Sequence, residues 1–226
     1  MNRLEAFNNL SLLFQAHGYK LFLVGGSVRD YLLKKEIIDL DVTSDATPSE
    51  IRAFIGDDAD YTFSKYGNVN IDFVGYKFEL TTLRKEDKYF DSRHPNKITF
   101  TKDLKEDSNR RDFTINALYM DMNKNIYDYH QGLNDLQTGV LKMIGEPTKR
   151  IMEDPLRILR AIRFSYLLSF KIDESLKISM HQNVELLKKL NPEKIKQELR
   201  KFNAEKEKIF PLFDEFGITN LLDMLN

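Results

Sequence analysis

Two short runs near the N-terminus carry residue types and spacing suited to phosphate chemistry. Val24-Gly25-Gly26-Ser27-Val28-Arg29-Asp30 sets two glycines ahead of an arginine, and Asp39-Leu40-Asp41 follows nine residues after it. Glycines at a strand-to-helix turn let the backbone approach a polyphosphate. Carboxylates at i and i+2 of a strand point to one face, where both can hold a divalent cation. Together they point to transfer of a nucleotidyl group. The run fits neither the dinucleotide fingerprint Gly-x-Gly-x-x-Gly nor the P-loop Gly-x-x-x-x-Gly-Lys-Ser/Thr. Asp39 and Asp41 are the expected catalytic carboxylates and Mg2+ ligands. Glu79, in Phe78-Glu79-Leu80-Thr81-Thr82-Leu83-Arg84, is the expected third carboxylate, because an unpaired charge among apolar strand residues is costly. A plainer reading of these residues is a glycine turn and a strand end with solvated carboxylates.

Two further runs bear charge at helical spacing. In Arg110-Arg111-Asp112-Phe113-Thr114-Ile115-Asn116-Ala117, Asp112 and Asn116 fall at i and i+4, so on one helix they would share a face and hold a ribose, with Arg111 reaching phosphate. In Glu153-Asp154-Pro155-Leu156-Arg157-Ile158-Leu159-Arg160-Ala161-Ile162-Arg163, the i, i+3 spacing aligns Asp154 with Arg157 and Arg157 with Arg160. A carboxylate beside a guanidinium fork can read a base edge while another arginine contacts phosphate. Gly25, Gly26, Arg29, Arg111, Asp112, Asn116, Glu153, Asp154, Arg157 and Arg160 are therefore the expected nucleotide-binding residues. Ordinary ion pairing at an exposed helix start or surface is the alternative for both runs.

Periodicity supplies the elements that must position these groups. Leu4, Phe7, Leu10 and Phe14 mark one face of a helix over 3–17, stopped by Gly18. Short strands are expected at 21–24, 39–43, 68–73 and 77–82, with a helix after Ser27 and another opened by the capping box Thr47-Pro48-Ser49-Glu50. The polar stretch 85–97 reads as a long mobile loop. A helix is expected around 109–117 and a hairpin over 118–129 turning at Asn123-Lys124-Asn125, and from Ile151 onward the pattern is helical throughout.

The 226-residue chain holds no cysteine, which excludes a disulfide framework and a thiolate metal site. No apolar run approaches the ~18 residues of a membrane span, and Met1 opens on a polar helix, so a cytoplasmic location is the expectation. The formal net charge of −1 is unevenly spread. Residues 141–208 carry 16 Lys/Arg against 10 Asp/Glu, a basic stretch suited to phosphate backbones or to a solvated helical surface.

The runs around Gly25-Gly26 with Asp39 and Asp41, around Arg111-Asp112, and around Asp154-Arg157 resemble motifs A, B and D of the class II tRNA nucleotidyltransferases, the CCA-adding enzymes, and of bacterial poly(A) polymerases. Asp128 with Gly132, Asp135, Leu136 and Ile144-Gly145 resembles motif C. Asn191-Pro192-Glu193-Lys194-Ile195 with Glu198-Leu199 resembles motif E, with Lys194 where the family more often has Arg.

The resemblance implies an α+β fold: a polymerase-beta-like head with a mixed sheet over 1–140, then an all-helical neck over 141–226. It implies template-independent addition of C, C and A to tRNA 3′ ends from CTP and ATP, with Mg2+ as cofactor, pyrophosphate released and the tRNA acceptor end as partner. Addition of A alone, poly(A) synthesis, or an inert tRNA- or nucleotide-binding module are the alternatives. The segment 84–97 resembles the flexible loop that CC-adding enzymes lack, and Tyr66-Gly67-Asn68-Val69-Asn70 looks closer to the CCA-adding pattern than to the polymerase one. Family members continue well past motif E, whereas this chain stops at Asn226, as a minimal or a shortened enzyme; oligomeric state is left open, and the apolar set Ile209, Leu212, Phe213 and Phe216 would be the face for a second subunit only if a persistent advantage of full tRNA at high salt called for one.

Overall fold

The computed structural model describes residues 1–86, 89–91, 94–95 and 98–225. In chain order the strands are β1 Leu21–Val24, β2 Leu40–Ser44, β3 Asn68–Phe73, β4 Tyr76–Thr82, β5 Arg84–Glu86, β6 Tyr89–Asp91, β7 His94–Pro95, β8 Ile98–Phe100, β9 Leu118–Met120, β10 Ile126–Asp128, β11 Val140–Leu141 and β12 Lys171–Ile172. The α-helices are α1 Arg3–Ala16, α2 Gly26–Leu32, α3 Pro48–Ile55, α4 Leu104–Ser108, α5 Gly132–Thr138, α6 Pro147–Glu153, α7 Leu156–Leu168, α8 Glu174–Asn183, α9 Pro192–Arg200 and α10 Lys206–Glu215. The chain divides into two compact units, one of residues 1–88, 95–111 and 115–133, the other of 89–94, 112–114 and 134–226.

The first unit is built on a mixed six-stranded sheet of order β10-β9-β1-β2-β4-β3, in which only β2 and β4 run parallel. All four residues of β1 are buried, so the strand is apolar on both faces. Strand β4 instead alternates, with Phe78 and Leu80 in the core and Glu79 exposed. The neighbours that suggested a buried Glu79 therefore point away from it, and its charge lies on the solvent face. Helix α1 buries Ala6, Phe7, Leu10 and Phe14. Helix α3 starts as its sequence predicts: Thr47 accepts from the Glu50 N–H, the Glu50 carboxylate accepts from the Thr47 N–H, and Pro48 takes the first turn.

Two expectations for this unit change. Residues 109–117 form no α-helix: α4 ends at Ser108 and a single 3-10 turn spans Thr114–Asn116, because side-chain and backbone partners distant in sequence override helical spacing. Of the stretch read as a loop, Lys85 and Glu86 belong to β5, which pairs with β8 beyond it, Arg84 opposite Phe100 and Glu86 opposite Ile98. Residues 87, 88, 92, 93, 96 and 97 of that stretch lie outside the described residues. The hairpin of β9 and β10 is as expected, with Asp121 accepting from the backbone N–H groups of Asn123 and Asn125 at its turn.

The second unit packs α6 to α10 around α7, whose Ile158, Leu159, Ala161 and Ile162 have no exposed surface. It is not wholly helical, because β11 and β12 pair in parallel, Val140 opposite Lys171. The last apolar segment is broken at Gly217, where φ is +67°, between α10 and a 3-10 turn over Thr219–Leu225. Ile209, Phe213 and Phe216 are buried within this unit, with the Phe213 ring 5.5 Å from that of Phe202. Those three side chains are core of this unit, and Leu212 is half-buried.

Candidate active site

The turn from β1 into α2 depends on Gly25, whose φ of +63° and ψ of −125° lie where a Cβ is strained. A Cβ there would stand 3.9 Å from Arg111 Nη1, and one on Gly26 would stand 3.5 Å from Arg29 Nη2 and 3.7 Å from Asp41 Oδ2. The bare backbone thus lies among two guanidinium groups and a carboxylate. Ser27 fastens this turn to the next strand: its Oγ donates to the Asp39 carbonyl at 2.8 Å and accepts from the Asp41 N–H at 2.9 Å. The sequence reading gave Ser27 no role, although it sits inside the glycine run.

Asp39 is exposed at the bend before β2, and Asp41 lies one residue into the strand. The parallel register places Asp41 beside Glu79 of β4. Burial first, then the charges of Glu79 and Asp39, push the Asp41 carboxyl up to about 6, with Arg111 and Arg29 pulling the other way. Carboxylates held together against their own repulsion are a donor set that a cation would relieve. Among the described residues no three Asp, Glu, His or Cys side chains close into a cage. An open set of this kind suits Mg2+, which commonly takes one or two carboxylates and completes its shell with water and substrate phosphates.

Arginines complete the same cavity of about 290 Å³, whose lining includes Gly25, Asp41, Glu79, Arg84, Arg110 and Arg111. Arg29 Nη1 donates to Asn116 Oδ1 at 2.8 Å, and its Nε donates to Asp30 at 2.9 Å. Arg111 is held by Asp107, which receives its Nε and Nη2 at 3.2 and 3.0 Å, and its guanidinium lies over the Tyr119 ring. Asp107 has no exposed surface and also receives Arg110 Nε at 2.9 Å, the Arg84 N–H at 3.1 Å and the Tyr119 hydroxyl at 2.7 Å. Burial raises the Asp107 carboxyl, but Arg111 and Arg110 outweigh it and hold the group far below the usual carboxylate range. A lone aspartate in a polar stretch gives no sequence signal for such a hub. Beside Arg110 and Arg111, three and four residues on, its partners are the Arg84 N–H, 23 residues upstream, and Tyr119, 12 residues downstream.

Of the expected site residues, Gly25, Gly26, Arg29, Asp39, Asp41, Glu79, Arg111 and Asn116 belong to the first unit, and Asp112, Glu153, Asp154, Arg157 and Arg160 to the second. Asp112 and Asn116 share no helical face: Asn116 takes Arg29, while Asp112 Oδ2 takes Arg160 Nε at 2.7 Å. The Asp112 charge raises the Arg160 pKa. Asp154 does not lie on α7 with Arg157. It closes α6 in extended conformation, φ −149°, and its Oδ1 accepts the Leu156 N–H at 3.1 Å. Arg157, only 5% exposed, directs Nη1 to the Arg150 carbonyl at 2.5 Å and to Glu153 Oε2 at 3.2 Å. Glu153 Oε2 also takes Arg150 Nη1 at 2.6 Å. The i, i+3 argument fails here because Pro155 ends the regular spacing, α7 beginning only at Leu156.

Residues 21–142 match the profile of the poly A polymerase head domain. The chain is 41% identical over 187 residues to the CCA-adding enzyme of Staphylococcus epidermidis, covering 83% of this chain and 46% of that protein. It is 44% identical over 184 residues to the CCA-adding enzyme of Limosilactobacillus reuteri, covering 81% and 45%. The fold is similar to that of the Bacillus stearothermophilus CCA-adding enzyme in complex with CTP, with a TM-score of 0.81 at 32% identity over 89% of this chain and 49% of that one. It is also similar to a tRNA nucleotidyltransferase complexed with a primer tRNA and an incoming ATP analog, with a TM-score of 0.75 at 29% identity over 96% and 62%. The chain spans about half the length of the curated relatives it matches.

Proposed function

The chain belongs to the poly A polymerase head domain family, and on that footing we propose that it is a template-independent nucleotidyltransferase that adds C, C and A to tRNA 3′ ends from CTP and ATP. The observation that carries this reading is the single cavity in which Asp41 and Glu79 meet Gly25, Arg110 and Arg111. In each addition the 3′ oxygen of the RNA attacks the α-phosphorus of the nucleotide, a new P–O bond forms, and the bond to pyrophosphate breaks with the electron pair leaving on pyrophosphate. Gly25 and Gly26 let the triphosphate approach the backbone, and Arg29 and Arg111 balance its charge. Asp107 fixes Arg111 before substrate arrives, so little reorganisation is needed. Asp39 and Asp41 would hold Mg2+, which when bound neutralises charge on the triphosphate and activates the attacking hydroxyl.

Base selection is assigned to Asp154 and Arg157. The observed contacts use one carboxylate oxygen of Asp154 and Nη1 of Arg157, which leaves Asp154 Oδ2 and Arg157 Nε and Nη2 for the edge of a base. The basic stretch 141–208 supports a phosphate-backbone partner, the tRNA acceptor end. Among the described residues no helix is long and apolar enough to cross a membrane.

Incorporation of labelled CTP and ATP on tRNA lacking CCA, and of ATP on tRNA ending in CC, tests the reading. Full CCA addition is the expected result. Addition of A alone to the CC end would mark a partial enzyme, long A tails on unrelated RNA would mark a poly(A) polymerase, and binding without incorporation would mark an inert module.

A further inference from the structure

The sheet sets out the chemistry in an order that places one more substrate group. Moving across it, the Gly25 turn follows β1, Asp41 stands on β2, Glu79 lies opposite it on β4, and Asn70 lies opposite Glu79 on the edge strand β3. Beyond Asn70 the chain adds a further pairing, with Asp60 bridged to Asn70 by backbone bonds of 2.9 and 3.0 Å. Adjacent strands lie about 4.8 Å apart, so Asn70 is roughly 10 Å from Asp41 across the sheet. In an in-line displacement the attacking hydroxyl comes from the side opposite the leaving pyrophosphate. With the triphosphate at the Gly25 turn, the attacking strand end must arrive from the side of Glu79 and Asn70.

A second cavity of about 220 Å³ lies on that side, lined by Asp60, Phe63, Asn68, Asn70 and Glu79. It shares Asn68, Asn70 and Glu79 with the cavity that holds Asp41, so the two adjoin along these residues. Phe63 is 56% exposed, while its carbonyl accepts from the N–H groups of Tyr66 at 2.9 Å and Asn68 at 3.4 Å, which fixes the backbone that carries the ring. A single exposed phenylalanine is unremarkable on a protein surface. This one lines a polar cavity opening onto a nucleotidyl-transfer site, where an aromatic face offers sequence-tolerant stacking to a base.

We propose that Phe63 stacks the 3′-terminal base of the RNA primer, with Asn70 and Asn68 presenting amides to the same nucleoside, so that its hydroxyl is held toward Asp41. Phe63 is thus a substrate-binding residue for the acceptor strand and not for the incoming nucleotide. The inference rests on the nucleotidyl-transfer reading given above.

The test compares the wild-type chain with Phe63→Ala and Phe63→Tyr on two tRNA minihelices ending in CC, one with an intact terminal base and one abasic at that position. Stacking of one base on an aromatic ring is worth on the order of tenfold in affinity. Phe63→Ala should raise KM for the intact primer by about that factor and leave KM for ATP within about twofold, while Phe63→Tyr stays close to wild type. The abasic primer should be used equally poorly by wild type and Phe63→Ala. Equal losses by Phe63→Ala on both primers, or a rise in KM for ATP alone, would overturn the assignment.

A third minihelix carries 2-aminopurine as its last base and reads binding without turnover. Quenching with wild type that disappears in Phe63→Ala upholds the stacking site even if no nucleotide is incorporated, an outcome that would count against the catalytic reading alone. Equal quenching by both proteins removes Phe63 from the site.

Discussion

The two charged regions handle their charges in opposite ways. Around the β1–α2 turn, Asp41 stands with Glu79 and Asp39, and its carboxyl is pushed up to about 6 by burial first and then by those charges, which the arginines only partly offset. Along α7, each arginine meets an acid of its own unit: Arg157 meets Glu153, Arg160 meets Asp112 and Arg163 meets Glu198. The first region stores an imbalance that a cationic ligand would discharge. The second is internally compensated, so its charges serve position and stability before any ligand arrives.

Substitutions can break that contrast. The largest effect is expected from Asp41→Ala, which removes a proposed Mg2+ ligand. It should lower CMP and AMP incorporation alike by on the order of 10³-fold, the equivalent of several kcal/mol of charge stabilisation. Its thermal midpoint should not fall, because the carboxylate removed is one its neighbours repel. Single-turnover incorporation with a melting curve checks both, and a folded Asp41→Ala protein with near wild-type turnover would contradict the assignment.

Glu198→Ala should do the reverse. It leaves Arg163 buried without the carboxylate that now lies 2.6 Å from its Nε, a change worth about 3 to 5 kcal/mol of stability. Turnover per folded molecule should be nearly unchanged. Urea unfolding beside activity at low denaturant measures the split, and a variant that is as stable as wild type but inactive would move Glu198 into the site.

Asp107→Asn sharpens the comparison, because Asp107 is a compensated group serving the uncompensated centre. Losing the charge opposite Arg110 and Arg111 should cost about 2 to 3 kcal/mol of stability and raise KM for CTP and ATP together, since a charged hydrogen bond is worth roughly that much. Steady-state kinetics with both nucleotides decides it, and an unchanged KM would mean that Arg111 does not meet the triphosphate.

The smallest effect is expected at Asp154. If its Oδ2 reads a base, Asp154→Ala relaxes the preference for CTP and ATP over UTP and GTP by about 1 to 3 kcal/mol. If it serves only to cap Leu156, the loss is about 1 kcal/mol of stability with selectivity intact. Competition assays with all four nucleotides separate the two.

Much of this was legible in the chain because the signals were local. Strand β1, the capping box at Thr47 and the β9–β10 turn each depend on residues within a few positions of one another, and all three appear as expected. The argument from apolar neighbours does not hold for Glu79, since alternation along β4 puts it on the opposite face; what brings it beside Asp41 is the strand register. The failures have two causes. Pro155 separates Asp154 from the helix that carries Arg157. Helical spacing also placed Asp112 with Asn116, but Asp112 is claimed by Arg160, 48 residues away, and Asn116 by Arg29, 87 residues away. No local pattern announces a partner at that distance. Asp107 sits three and four residues before Arg110 and Arg111, a spacing visible in the chain, but nothing local announces its bonds to the Tyr119 hydroxyl and the Arg84 N–H.

The sheet order has a consequence for how the chain is made. Strand β1 pairs on one side with β2, which follows it closely, and on the other with β9, where Leu23 meets Met120. On a ribosome, β1 therefore emerges roughly a hundred residues before its second neighbour, with one edge unpaired. During that interval the nascent chain presents an adhesive edge at the foot of its own glycine turn. Chaperone capture, or a pause in translation before β9, would act on this interval more than on any other in the first unit.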